Sequence, residues 1–105
     1  MDKYDLFCLI FLALDADWEE THDEELGKYL SDANPFLFTE KTSAIQDVYK
    51  DYCHFWGNRV VTTENSFELA TAYISQLNNP AVTKSFSDID KEQWKEAAEQ
   101  FLQKQ

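Results

Sequence analysis

Residues 6–14 read Leu-Phe-Cys-Leu-Ile-Phe-Leu-Ala-Leu, nine apolar residues without a break. Leu, Ala, Phe and Cys carry the run, and Ile10 is its sole β-branched member, so a helix is favoured over a strand. A helix over about Lys3–Ala16 is apolar all round, the mark of a helix buried at the centre of a bundle. A buried strand is the second reading. The run is too short to span a bilayer. A secretory leader is also disfavoured. Asp2 and Asp5 flank Lys3, so the leading segment is not basic, and Ala13-Leu14-Asp15-Ala16-Asp17 is a poor cleavage site.

Outward from this run, the chain continues in helical periods. A second helix is expected over about Asp23–Ala33, with Leu26, Tyr29, Leu30 and Ala33 on one face, weakened by Gly27 and stopped by Asn34-Pro35. Phe36-Leu37-Phe38 then reads as an apolar connector tucked under the core. A third helix is expected over about Thr42–Trp56, opened by Ser43, with Ile45, Val48, Tyr49, Tyr52, Cys53 and Trp56 inward and Gly57-Asn58 at its end. Arg59–Thr63 reads as an extended linker. A fourth helix follows over about Glu64–Asn78, with Phe67, Ala70, Tyr73, Ile74 and Leu77 inward. Ala81–Asp88 reads as a loop anchored by Phe86. The last helix, about Lys91–Gln103, has Trp94, Ala97, Ala98, Phe101 and Leu102 at helical spacing. Asp90 is its N-cap, with Gln93 three residues on, and Ile89 and Trp94 stand at hydrophobic-staple positions.

These segments predict an all-α fold, one small domain built as a bundle of four or five helices. The 105 residues suit one core, and 44% of them are hydrophobic, enough to fill it. Only two Gly and two Pro are present, too few for the many tight turns of an all-β domain. Eight Phe, five Tyr and three Trp supply large rings that help a short chain bury enough area.

The formal charge is −11, and it is unevenly placed. Residues 1–57 hold 13 acidic and 4 basic residues, against 7 and 5 in residues 58–105. Between Asp15 and Glu25 there are seven carboxylates and no Lys or Arg. Nucleic acid is therefore an improbable ligand, since binding it needs cations that replace counterions. An anionic membrane surface is disfavoured for the same reason. A basic protein is the partner class that such charge favours. The plain alternative is that the acidity serves solubility alone.

Several groupings invite chemical readings. Asp15, Asp17, Glu19, Thr21 and Asp23 place oxygens at alternate positions, as in a calcium loop. The sixth position of that loop is Glu20 where the turn needs Gly, and the twelfth is Leu26 where a bidentate Glu belongs. The run reads better as a solvated acidic turn with capping duties: Asp17 with Glu20, and Thr21 with Glu24, have capping-box spacing. One His, His22, among carboxylates is a poor transition-metal site. Cys53-His54 has the residue types of a nucleophile and base. Neighbours on a helix diverge by about 100°, so the two cannot share a hydrogen bond. Cys8 and Cys53 each sit among apolar residues and read as buried thiols, which fits a reducing, cytoplasmic setting. No metal, cofactor or catalytic residue is expected.

The candidate partner-binding residues are Asp15, Asp17, Trp18, Glu19, Glu20, Asp23, Glu24 and Glu25, extended by Asp47 and Asp51 on the polar face of the third helix. Trp18 is either an interface anchor ringed by carboxylates or a core residue that caps the bundle. No motif names a family. In size, charge and fold class the chain is similar to small acidic inhibitors such as the bacterial immunity proteins, which block a toxic nuclease. That likeness implies a stoichiometric inhibitor of a basic protein. A non-catalytic adaptor or structural subunit is the alternative.

Overall fold

Asp2 opens the first helix with a reciprocal cap: its side chain accepts from Asp5 N at 2.8 Å, and the Asp5 carboxylate accepts from Asp2 N at 3.1 Å. The computed structural model describes residues 1–37 and 41–103. Within them lie six helices and no strand: α1 (Lys3–Thr21), α2 (Glu24–Ala33), α3 (Gln46–Trp56), α4 (Ser66–Leu77), α5 (Pro80–Ser87) and α6 (Lys91–Gln103). The chain forms an all-helical bundle.

The apolar run is the axis of that bundle. Leu6, Phe7, Cys8, Leu9, Ile10 and Leu14 of α1 are all buried. The helix packs on α2, α4, α5 and α6, and Phe7 meets the rings of Tyr49 and Tyr52 on α3. α1 also runs five residues past the expected Ala16. Phe11, Leu14 and Trp18 continue one helical face at i, i+3 and i+7, and this outweighs the capping-box spacing of Asp17 and Glu20. The helix ends instead at His22, whose left-handed backbone (φ 52°) lets its N–H donate to the Trp18 carbonyl at 2.7 Å.

Residues 81–88, read as a loop, are mostly helix. Pro80 occupies the first turn of α5, where its missing N–H costs nothing. The Asn79 side chain accepts from Val82 N as the N-cap. Val82, Ser85 and Phe86 turn inward at i, i+3 and i+4. Phe86 does anchor the segment, in a ring cluster with Phe67 and Trp94. Trp94 Nε1 donates to the buried Ser66 Oγ at 2.8 Å, which joins α6 to the start of α4.

α3 begins at Gln46 and not at Thr42, because Ser43 is a buried hub. Its Oγ donates to the Ile45 carbonyl and accepts from Tyr49 N. Ile45, expected inward, is 51% exposed for the same reason: its N–H is drawn to the Asp32 carbonyl at the end of α2. The connector after α2 also departs from its reading. Pro35 is the buried residue there, and Tyr4 Oη donates to its carbonyl. The Asn34 side chain accepts from Phe36 N and turns the chain outward, so Phe36 and Leu37 face solvent. Phe38 lies outside the described residues. The linker at 59–63 carries no helix or strand and is held by the buried Val61. α6 matches its reading, with Asp90 and Gln93 bonded reciprocally at its start.

Candidate partner-binding face

The acidic run folds into the end of α1, the turn at residues 22–23 and the start of α2. Asp23 caps α2 by accepting from Leu26 N at 3.0 Å, and Glu24 and Glu25 follow in the first turn. That placement suits the positive end of the helix dipole. The other four carboxylates are placed the opposite way. Asp15, Asp17, Glu19 and Glu20 occupy the C-terminal part of α1, with no basic residue in the last turn. The dipole there is negative, so Glu19 and Glu20 are electrostatically unfavourable.

Trp18 stands at the centre of the turn. Its Nε1 donates to the Asp23 carbonyl at 3.1 Å, and its ring lies 4.9 Å from that of His22. Gly27 makes this seat possible: a Cβ at that position would stand 2.8 Å from Trp18 Nε1. The indole is half-buried and packs on the core margin. It is therefore a bundle cap that stays partly open to solvent.

The structure divides the acidic residues between two clefts. Asp15 and Trp18 line one of about 180 Å³ between α1 and α2, with Phe11, Gly27, Leu30, Ser31 and Asn34. Asp17 and Asp23 line a smaller notch of about 80 Å³ against α5, with Lys84 and Asp88. Glu19, Glu20, Glu24 and Glu25 are exposed on the rim. Asp47 and Asp51 belong to neither cleft. Asp47 is exposed in the first turn of α3, and Asp51 lines a depression with His54, Phe55, Gln76 and Leu77. Among the described residues the one ion pair is Lys41–Asp2, so none of the seven carboxylates has a salt-bridge partner.

The geometry also bears on the chemical readings. Asp15–Thr21 is helical, so its alternate oxygens diverge and do not converge on an ion. Among the described residues no three His, Cys, Asp or Glu side chains cluster as metal ligands. Cys53 is half-buried and His54 exposed, on different sides of α3. No helix is long and apolar enough to cross a membrane among the described residues. Compared with known protein families, curated proteins and solved structures, the chain matches none.

Sequence reasoning missed two features of this face. One is the Trp18–Gly27 seat, which depends on how α1 and α2 pack. The other is the exposed pair Phe36 and Leu37, 53% and 60% accessible. Their signal was Asn34-Pro35, a turn that can send the next residues outward as readily as inward.

Proposed function

We propose that this protein is a stoichiometric binding protein that engages a basic protein partner through the α1–α2 turn and blocks or shelters it. An immunity-type inhibitor of a toxic nuclease is the leading case, in a reducing, cytoplasmic setting that suits two free thiols. One observation carries the reading. Glu19 and Glu20 stand at the negative end of α1, with no salt-bridge partner among the described residues. Helix capping needs Asp23 alone at this turn. A cluster that opposes its own helix dipole gains its use from an external cation, most simply the Lys/Arg surface of another protein.

The mechanism has two stages. The acidic rim steers the basic partner, which raises the encounter rate at low salt. Trp18 then loses its remaining exposed face. Its ring is already fixed by Asp23 and Gly27, so little side-chain entropy is lost on docking.

The test starts with capture of the partner from the native host, followed by stopped-flow association. The probe variant replaces Glu19, Glu20, Glu24 and Glu25 together by Gln and spares the capping Asp23. Its association with the captured partner is expected to be slower at low salt and to depend less steeply on salt. An unchanged association rate at low salt would reduce the rim to a solubility device. The adaptor reading would then lead.

A further inference from the structure

Apolar surface lies open beside the α1–α2 cleft. Phe36 is 53% exposed, and Leu12 on α1 is 39% exposed. The Phe36 ring stands edge-on to Phe11 at 5.7 Å, and Phe11 lines the α1–α2 cleft together with Trp18. Scattered exposed apolar residues are ordinary, but Phe36 continues through Phe11 into the cleft, and this continuity suits an interaction surface. Its α1 side carries a single sign. Asp15 lines the cleft, Glu19 follows one turn on, and residues 4–27 contain no Lys or Arg. The one cation on α2 is the exposed Lys28.

We infer that this cleft receives an amphipathic basic helix of the partner protein. Apolar side chains of that helix seat against Phe11, Trp18 and Phe36, and its Lys or Arg residues reach Asp15 and Glu19. The spacing fits a helix. Phe11 and Trp18 are two turns apart, about 10 Å, which is the span of anchors at i and i+7 on a helix laid in a groove. The charge fits the same occupant and opposes an anionic lipid surface. The inference rests on the basic-partner reading and adds the apolar contact and the helical form of the ligand.

The test uses a 14-residue Leu/Lys amphipathic helical peptide that lacks Trp. It is compared with a scrambled peptide of the same composition and with vesicles of anionic lipid. The readout is tryptophan emission of the wild type and of Trp18→Phe. The expected result is a saturable blue shift with the amphipathic peptide, absent from Trp18→Phe, with no shift from the vesicles. The scrambled peptide is expected to bind at least about fivefold more weakly, as is the amphipathic peptide to Phe36→Ser. Phe36 is exposed, so that variant keeps its fold, which a melting curve verifies. Equal binding of both peptides, or an unchanged affinity in Phe36→Ser, overturns the apolar contact and leaves the basic-partner reading standing. A blue shift from vesicles and not from the peptide overturns the protein ligand. Binding of neither peptide at low salt removes the parent reading with the inference.

Discussion

Gly27 is the residue on which the proposed face depends most. In a helix interior Gly is about 1 kcal/mol worse than Ala, and here the absent Cβ leaves room for the Trp18 indole. Gly27→Ala is expected to keep the fold and push the indole off α2. Acrylamide quenching of tryptophan will then be stronger than in the wild type, and equal quenching would show that the seat does not need Gly. Cys8 gives a second prediction at this scale. Burial pushes its thiol up from 9.0 to about 11, and burial likewise raises the Tyr4 and Tyr29 hydroxyls to about 12. The folded chain holds these protons more tightly than the unfolded chain does. The associated stability is therefore complete below pH about 9 and falls as pH rises through about 11. Cys8→Ala is expected to flatten the first part of that decline in a series of melting curves. Legibility at the residue scale followed burial. Cys8, deep in an apolar run, was readable. Cys53, read as equally buried, is half-exposed at the margin of the core.

Among the elements, α6 was legible almost to the residue, because its periodicity and its capping box agree. α5 was not. Residues 81–88 read as a loop, yet Asn79-Pro80 starts a helix, with Asn79 as the cap and Pro80 next. The end of α1 was misplaced because two signals competed at Asp17: a capping-box spacing and the apolar face that runs on to Trp18. Packing decided for the face. That outcome reverses the electrostatic role of Glu19 and Glu20 and yields a prediction. Glu19→Gln with Glu20→Gln is expected to raise the melting temperature by about 2 °C or more, because it relieves the C-terminal end of α1. Glu24→Gln with Glu25→Gln removes a favourable first-turn charge from α2 and is expected to lower it by a similar amount. Differential scanning fluorimetry of the two double variants compares them directly. Shifts of the same sign would mean that general repulsion, and not the helix dipole, governs this turn.

For the molecule as a whole, the fold class was legible because the strongest sequence signals were global ones: few turn residues, many rings and an unbroken apolar run. Helix occupies 73% of the described structure. The proposed binding face was legible only as composition. The sequence locates the carboxylates along the chain, but their division between two clefts is set by the approach of α2 and α5 to α1. The molecule measures 32 × 30 × 26 Å. At 0.01 M salt the screening length is about 30 Å, so all eleven excess charges repel one another across the fold. At 1 M it is about 3 Å and the repulsion is confined to neighbours. The melting temperature is therefore expected to rise from 0.01 M to 1 M NaCl, with part of that rise lost when Glu19 and Glu20 are Gln. A flat or falling curve would show that the charge imbalance carries no cost in stability.

The central position of α1 has a consequence during synthesis. Of the six helices it is made first, yet it is sealed in part by α5 and α6, at residues 80–103. At about 5–20 residues per second, the part of its apolar surface that α5 and α6 cover stays open for roughly 4 to 16 s. Chains arrested before Val82 are thus expected to leave the α1 surface that α5 and α6 cover open to limited proteolysis, which the full chain resists.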